Sequence, residues 1–295
     1  MIIIEIIGGL GNQMFEYAAA FVAAKYAHAE LKLDTLYYND KSKRYHRFEY
    51  RPYALNLFNL SASIASPEEI RRFTFPRIYN KYIYHFLRKL HKNKNVYTET
   101  DIKVFANLSR LPSDCYLKGC FQNYEYIKND IDDIKKEFTF KDSLPERYHE
   151  MVSLIKNADN SICVVFRRGD YVGHPFLDIV DLDYYYHALQ IMGIPNATIF
   201  VFSDDIDWCI QHFSPPSQHK VHFVSQEYTG PMGGHYLQLM MLCHHFIIPN
   251  STYPFWAALL SETDMYKKVI APKIWYKGQD PVIRNNILPD SWIAL

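Results

Sequence analysis

The sequence lacks an excess of charge of either sign. Its 295 residues include 32 lysines and arginines and 32 aspartates and glutamates, so the formal net charge is zero. Proteins that bind nucleic acid through their overall field are basic, and this balance therefore predicts no nucleic-acid partner. Any anionic ligand must instead be held by a local group of cationic side chains.

The chain also lacks a cysteine framework. Its five cysteines are Cys115, Cys120, Cys163, Cys209 and Cys243. Their odd number and the apolar runs around three of them are typical of free thiols in a reducing compartment. No spacing of histidine, cysteine and carboxylate residues predicts a metal site, so we expect no bound metal and no cofactor.

Long apolar runs are missing as well. The N-terminal "MIIIEIIGGLGNQ" has no basic leader, and no stretch reaches the roughly 20 apolar residues of a membrane span. The expected localisation is therefore the cytoplasm. The basic, aromatic segment 77–95 would suit peripheral contact with the inner face of a bacterial membrane, although a solvated helix with an apolar stripe explains it more simply.

The second half of the sequence contains a regular alternation of strand-like and helical patterns. The strand-like runs are "SICVVF", "TIFVFSDD", "KVHFVS", "FIIPN" and "KKVIAP". This order predicts a doubly wound parallel sheet, in which ligands lie at the carboxyl ends of the strands. The first half opens with a β-loop-α pattern but is less regular. We expect two α/β domains, residues 1–150 and 151–295.

Polar residues follow the strand in "VVFRRGDYV". Arginine keeps its charge and binds phosphate oxygens through a planar fork, so Arg167 and Arg168 suit a diphosphate. Gly169 permits a tight turn, and Asp170 would orient an arginine or accept a proton. A solvated ion pair at a strand end is the structural alternative, and the local sequence leaves both open.

The next strand ends in "FSDD". The carboxylates of Asp204 and Asp205 can accept hydrogen bonds from ribose hydroxyls or from the N–H edge of a purine. The alternative is that Ser203 or Asp204 caps the following helix. These two functions do not exclude each other.

A third strand, "FIIPN", leads directly into a predicted helix. Asn250, Ser251 and Thr252 then combine hydroxyls with the positive end of the helix dipole, which favours an anion. Helix capping alone would also explain them. Because the carboxyl ends of parallel strands share one edge, the three groups together predict a site for a nucleoside diphosphate.

The loop "GGLGNQ" follows the first strand. It matches neither G-x-G-x-x-G nor a Walker loop, yet its glycines mark a close backbone approach. Asn12 would be a neutral donor and acceptor at the helix start, with a plain turn and cap as the alternative. In the helical pattern "GHYLQLMMLCHH", His244 and His245 are expected at the helix end as core or cap residues.

Four motifs occur in a fixed order along the chain: "GGLGNQMFEYA", "FRRGDYV", "FSDDIDWC" and "LMMLCHHFIIPNSTYPFWAALL". Together they resemble the bacterial α-1,2-fucosyltransferases of glycosyltransferase family 11, and the likeness covers nearly the whole chain. The resemblance implies a GT-B fold, with two Rossmann-like domains facing a cleft. It also implies inverting, metal-independent transfer of fucose from GDP-β-L-fucose, bound by the C-terminal half, to a galactose-containing glycan.

The resemblance assigns roles to the residues that match these motifs. Arg167 and Arg168 would bind the donor phosphates, and Arg168 is the stronger candidate for a catalytic role. Asp170 would orient an arginine or act as the base, for which Glu16 is a second candidate. The remaining expected binding residues are Asp204 and Asp205 near the guanosine, Asn250, Ser251 and Thr252 near the diphosphate, and Asn12 beside the transferred sugar.

Three positions depart from the family pattern. Val165 replaces a histidine, Tyr236 replaces an acidic residue, and Pro254 interrupts the third motif. The phosphate-binding residues are left intact. The departures concern recognition of the sugar, so a transferase with another donor or linkage and a non-catalytic nucleotide- or glycan-binding homologue remain alternatives.

Overall fold

The computed structural model describes residues 1–39, 51–74, 95–99, 108–174, 177, 180–262, 266–278 and 286–295. The chain divides into two compact units, Met1–Phe140 and Lys141–Leu295. This division precedes the boundary expected at residue 150, because Tyr148 packs within the second unit. Its hydroxyl donates to the Glu227 carbonyl at 3.1 Å, and its ring lies 4.9 Å from that of Tyr228. Residues 77–94 of the basic segment lie outside the described residues.

The described part of the first unit is built on a five-stranded parallel sheet, with strand order β3-β2-β1-β5-β4. Its strands are β1 (Ile2–Glu5), β2 (Leu31–Asp34), β3 (Ser63–Ile64), β4 (Val96–Thr98) and β5 (Cys115–Lys118). The central strand β1 begins with three completely buried isoleucines. Such a continuous apolar run is typical of a parallel strand that is covered on both faces.

The described helices of the first unit lie between or after its strands along the chain. They are α1 (Leu10–Tyr26), α2 (Leu36–Asn39), α3 (Pro67–Phe73) and α4 (Ile131–Glu137). At the start of α3, Ser66 and Glu69 form a reciprocal capping box, and Pro67 occupies the first turn. A short 3₁₀ turn, Tyr124–Tyr126, precedes α4.

The second unit contains, among its described residues, a six-stranded parallel sheet with strand order β11-β10-β9-β6-β7-β8. Its strands are β6 (Ser161–Phe166), β7 (Thr198–Ser203), β8 (Lys220–Phe223), β9 (His245–Ile247), β10 (Val269–Ala271) and β11 (Ile293–Ala294). Every residue of the central strand β6 is buried. Two parallel-sheet α/β domains, as the sequence predicts, are therefore confirmed.

The helices of the second unit alternate with its strands. They are α5 (His149–Lys156), α6 (Leu182–Met192), α7 (Ile206–His212), α8 (Gly234–Met241) and α9 (Thr252–Leu260). The predicted helix through His245 is too long, because α8 ends at Met241 and His245 opens β9. His244 instead pairs with Ser161 at the start of β6, where its Nδ1 lies 2.8 Å from the Ser161 Oγ.

Aromatic packing fixes the end of β6. The Phe166 ring stacks on Tyr185 of α6 with centroids 3.9 Å apart, and Phe213 lies 5.0 Å from Phe166. The buried Tyr185 hydroxyl donates to the Val165 carbonyl at 2.9 Å. Because these contacts immobilise the last two residues of the strand, the position of the chain that follows is well defined.

None of the helices in the described ranges is both long and apolar enough to cross a bilayer. The helix α1 has 17 residues, whereas a span needs about 20 apolar ones.

Candidate functional site

Three neighbouring strands of the second sheet, β9, β6 and β7, bring the predicted groups to one edge. Phe166, at the end of β6, pairs in register with Ser203 at the end of β7. The arginines that follow Phe166 and the aspartates that follow Ser203 are therefore adjacent. On the other side of β6, Val164 pairs with Ile247 of β9, which leads into α9. These groups therefore lie at the carboxyl edge of the second sheet, as the sequence predicts.

Arg167 is held by two carboxylates. Its Nη2 donates to the Asp170 Oδ1 at 2.5 Å, and its Nη1 lies 2.7 Å from the Asp204 Oδ2. Gly169 makes this arrangement possible, because an added Cβ there would lie only 2.7 Å from the same Asp204 oxygen. Arg167 therefore ties the loop after β6 to the loop after β7.

Arg168 is anchored differently and keeps its outer nitrogens available. Its backbone N–H donates to the Asp204 Oδ1 at 2.9 Å, and its Nε donates to the Asp205 Oδ2 at 3.1 Å. Its guanidinium carbon lies 3.6 Å from the centroid of the Trp208 ring. Among the described residues, Nη1 and Nη2 make no ion pair or hydrogen bond. These two nitrogens are the donors that an anionic ligand would use.

The acidic pair of "FSDD" has a structural function in this arrangement. Asp205, rather than Ser203 or Asp204, is the N-cap of α7, and its Oδ1 accepts from the Trp208 N–H at 3.4 Å. The expected capping residue is corrected by one position, because Asp204 turns toward the two arginines. The Ser203 Oγ accepts from the Asp205 N–H at 2.9 Å. The carboxylates that we expected near a guanosine are thus the partners of the arginines.

The start of α9 is buried beside this group. Asn250 and Ser251 are 4% and 7% exposed, and the Asn250 Nδ2 donates to the Trp275 carbonyl at 3.0 Å. Ser251 stands at the N-cap position and Thr252 is the first helical residue, but the Ser251 side chain makes no capping hydrogen bond. Pro254 fits the first turn because no intrahelical bond is lost there, but it removes one N–H from the helix start.

Tyr171 links the arginine loop to the start of α9. Its hydroxyl donates to the Asn250 carbonyl at 3.0 Å, and the Arg167 guanidinium lies 5.4 Å from its ring. Burial raises the pKa of Tyr171 to about 12. The phenol therefore stays neutral at physiological pH and keeps donating its proton.

The sequence reasoning missed a loop on the same edge, residues 225–233, which follows β8. The Gln226 Nε2 donates to the Asp204 carbonyl at 2.9 Å, and the Tyr253 hydroxyl of α9 donates to the Gly233 carbonyl at 2.5 Å. Gly230 has a φ of 65°, and an added Cβ would lie 2.1 Å from the His235 Nδ1. The glycine- and proline-rich "TGPMGGH" was the available signal for this close approach.

In the first unit, Asn12 lies in the first turn of α1, which begins at Leu10 inside "GGLGNQ" rather than after it. The Asn12 Oδ1 accepts from the Gln122 Nε2 at 3.1 Å. The loop itself is fixed through the Gly8 carbonyl, which accepts from the Gln13 Nε2 and from the Tyr38 hydroxyl, both at 2.9 Å. Asn12 is therefore oriented by its own unit.

Glu16 is not placed as a substrate-contacting base. Its side chain is completely buried in α1, where Oε2 accepts from the Ile7 N–H at 2.9 Å and Oε1 has no hydrogen-bond partner among the described residues. Burial raises the pKa of Glu16 well above its ordinary value, and the nearby Glu5 and Glu99 raise it further. A carboxyl group with no exposed surface is not placed to take a proton from a bound sugar.

A comparison with family models matches residues 1–295 to the model described as Glycosyl transferase family 11. The chain belongs to glycosyltransferase family 11. A curated relative, the O-antigen biosynthesis glycosyltransferase WbnK of Escherichia coli, is 30% identical over 98% of both chains. Another, an alpha-1,2-colitosyltransferase of Escherichia coli, is 28% identical over 100% of this chain and 99% of its own length.

Solved structures support the fold of this family 11 member. The fucosyltransferase NodZ from Bradyrhizobium has a TM-score of 0.52 at 14% identity, and the match covers 88% of this chain and 92% of NodZ. At that identity the similarity concerns the fold alone. The GT-B class predicted from the family resemblance, with two parallel-sheet α/β domains, is confirmed.

Val165 and Tyr236, two of the positions that depart from the expected motifs, are buried in the second unit. Val165 is 5% exposed within β6. The Tyr236 hydroxyl donates to the Val224 carbonyl at 2.7 Å, and its ring packs edge-on against Phe202 at 5.3 Å. Burial raises the pKa of Tyr236, so its hydroxyl stays a hydrogen-bond donor. It holds the chain where the loop 225–233 begins.

Proposed function

We propose that this family 11 glycosyltransferase transfers L-fucose from GDP-β-L-fucose to a galactose hydroxyl of a glycan and forms an α-1,2 linkage. The observation that carries the proposal is the Arg168 guanidinium, with two available terminal nitrogens at the carboxyl edge of β6. The start of α9 follows β9, the strand next to β6, at the same edge of the sheet. Two sources of positive potential beside each other suit a diphosphate.

The proposed reaction inverts the anomeric carbon. The acceptor hydroxyl oxygen bonds to C1 of fucose from the face opposite GDP, while the bond from C1 to the β-phosphate oxygen breaks and its electron pair leaves with GDP. The hydroxyl proton passes to solvent as the bond forms, since a loose, oxocarbenium-like transition state makes little demand on a base. Arg168 offsets the charge that grows on the diphosphate, which lowers the barrier selectively.

The other predicted residues support this arrangement in the proposal. Arg167 contributes charge and fixes the loop, because both of its terminal nitrogens already contact carboxylates. Asp170 orients Arg167, and its Oδ1 is engaged in that contact. Asp204 and Asp205 hold the two arginines, while Asn250, Ser251 and Thr252 form the helix start. Asn12 is proposed to contact the transferred sugar.

We propose that the reaction needs no metal. The arginines supply positive charge at the leaving group, which is the contribution that a divalent cation makes in other transferases. The described residues contain no group of three or more histidine, cysteine or carboxylate side chains arranged for a metal ion. Unchanged transfer in the presence of excess EDTA is the expected result, and loss of activity that Mg²⁺ or Mn²⁺ restores would contradict it.

A different donor sugar is the second candidate, because one relative is described as an alpha-1,2-colitosyltransferase. Colitose is L-fucose without its 3-hydroxyl group, so a diphosphate site built on Arg168 would serve either donor. Discrimination would depend on whether a buried polar group is left unpaired when the hydroxyl is absent.

The test is direct transfer by the purified chain. GDP-fucose and GDP-colitose are each incubated with lactose, N-acetyllactosamine and other β-galactosides, and GDP release and product linkage are followed by NMR. An α-1,2-fucosylated product is expected. Preference for GDP-colitose would favour the second candidate, and use of a UDP sugar or GDP binding with no product on any acceptor would contradict the proposal.

A further inference from the structure

Arg168 needs a support that the aspartates do not provide. Its Nε is fixed by Asp205, but one hydrogen bond leaves the guanidinium plane free to rotate about it. The two outer nitrogens bind a diphosphate well only if that plane already has the right orientation, because ordering a long side chain on binding reduces affinity.

Trp208 covers the guanidinium face. The Arg168 Cζ lies 3.6 Å from the centroid of the Trp208 ring, a distance that an atom reaches only above the face, since the ring edge would block it in the plane. A cation at this position is attracted by the ring electrons. The contact therefore restrains the one rotation that Asp205 leaves open.

The Trp208 ring is itself immobilised. Its backbone N–H donates to the Asp205 Oδ1 at 3.4 Å. Its ring stacks on the His212 imidazole, with the ring centroids 4.5 Å apart and an interplanar angle of 11°. The His212 Nδ1 lies 2.8 Å from the Trp208 carbonyl, one turn along the same helix. Phe166, at the end of β6, lies 6.2 Å from the ring. Trp208 is thus held by both α7 and the core.

We propose that Trp208 is a positioning residue for the donor diphosphate: it holds the Arg168 guanidinium so that Nη1 and Nη2 face the phosphates. This inference rests on the proposed function, because it needs a nucleoside diphosphate at this edge. It assigns to Trp208 an effect on the phosphates and none on the base, which separates it from the alternative that the indole stacks on the purine.

The experiment compares two ligands and two substitutions. Binding of GDP and of guanosine, which lacks phosphates, is measured by ligand-observed NMR for wild type, Trp208→Leu and Trp208→Phe. Trp208→Leu is expected to weaken GDP binding about 10-fold and to leave guanosine binding unchanged. Trp208→Phe keeps an aromatic face, so it is expected to retain most of the GDP affinity.

Ile210 provides a matched control on the same helix. It is 54% exposed, so Ile210→Ala should leave GDP binding and the melting temperature at wild-type values. In the Arg168→Lys background the planar fork is absent. In that background, Trp208→Leu should weaken GDP binding much less than it does in wild type, because the effect of Trp208 depends on the Arg168 guanidinium.

The outcomes distinguish the inference from the function on which it rests. Equal losses for GDP and guanosine, additive effects of the two substitutions, or unchanged GDP binding in Trp208→Leu would overturn the role of Trp208. Wild-type protein that fails to bind GDP would instead overturn the proposed function. Fucosyl transfer adds a further readout. Because Trp208 acts through Arg168, Trp208→Leu should lower kcat as well as raise KM for the donor, and the fall in kcat should be smaller than in Arg168→Ala.

Discussion

The carboxyl edges of the two sheets share an architecture but carry different side chains at the strand ends. At the first sheet, β1 ends in Glu5 and β2 in Asp34, and Glu99 follows β4. The one cation among these described strand ends is Lys118 of β5, whose Nζ lies 3.5 Å from the Glu5 Oε2. At the second sheet, Arg167 and Arg168 follow β6. Carboxylates repel phosphate and accept hydrogen bonds from hydroxyls, whereas arginines bind phosphate. In the proposed function, the strand-end arginines of the second unit therefore suit an anion, whereas the carboxylates of the first unit suit a hydroxyl-bearing ligand.

The two edges also handle their carboxyl groups differently. Asp204 and Asp205 of the second unit are paired with arginines. In the first unit Asp34 accepts from the Tyr116 hydroxyl at 2.7 Å, and burial raises the pKa of Glu16 well above its ordinary value. Cationic partners thus hold the two aspartates of the second edge, whereas Glu16 has no cationic partner among the described residues. The predictions below test this difference.

Arg168→Ala should have the largest effect on the second edge. It removes the available guanidinium nitrogens, and we expect kcat for fucosyl transfer to fall by roughly 100-fold or more. Steady-state kinetics with GDP-fucose and a β-galactoside measure this. Lys25, whose amino group pairs with Asp130 and Asp133 at the surface of the first unit, gives a control: Lys25→Ala should retain activity. Near-normal turnover in Arg168→Ala would refute the assignment.

Gly169→Ala should disturb the same edge more mildly. The new Cβ would meet the Asp204 Oδ2 at 2.7 Å and push it away from Arg167. We expect kcat/KM to fall about 10-fold, the equivalent of about 1.4 kcal/mol. Gly173→Ala is the matched control, since its Cβ would meet nothing within 4 Å although its φ is 72°. Gly173→Ala should lower the free energy of unfolding but leave kcat/KM almost unchanged. Equal losses of kcat/KM in the two variants would refute the clash.

Glu16→Gln tests the neutral carboxyl of the first unit. A raised folded-state pKa means that the native state binds the proton more tightly than the unfolded chain. The stabilising contribution is then present below the unfolded pKa near 4.5 and is lost as pH rises through the folded pKa. Thermal melts of wild type from pH 4 to 8 should show this loss of stability. Glu16→Gln should abolish this pH dependence and raise the free energy of unfolding by on the order of 1 kcal/mol at pH 8. Parallel pH profiles would contradict the burial argument.

Tyrosine-to-phenylalanine substitutions give the smallest expected effect and compare both units. The Tyr236 hydroxyl donates to the Val224 carbonyl, so Tyr236→Phe should reduce the free energy of unfolding by about 1 kcal/mol. Tyr38→Phe should cost less, because the Gly8 carbonyl keeps its hydrogen bond from Gln13. Urea unfolding measures both. A larger loss for Tyr38→Phe would reverse the comparison.

Much of the fold could be predicted because the second half alternates apolar strands with helices, and this period depends on local sequence alone. Element ends were predicted less well. The helix predicted through His245 ends at Met241, since β9 takes His245 into the sheet. The pairing of β9 with β6 decides that boundary, and it joins segments that are far apart in the chain.

The candidate site was predicted in its residue types but not in its contacts. Arg167 and Arg168 are neighbours of the same type, and nothing local distinguishes them. Trp208 carried no signal of its own, although it stands three positions after Asp205 in the motif "FSDDIDWC". Its relation to Arg168 depends on the register of β6 with β7.

The sequence by itself determined the family, the alternation of strands and helices, and the kinds of side chain at each strand end. The tertiary structure decided which arginine is enclosed by carboxylates and which keeps its outer nitrogens available. The physical reason is distance along the chain: the aspartates that hold Arg168 lie 36 and 37 positions away. Short-range patterns specify helices and strands, but charge pairing at a sheet edge depends on which strands become neighbours.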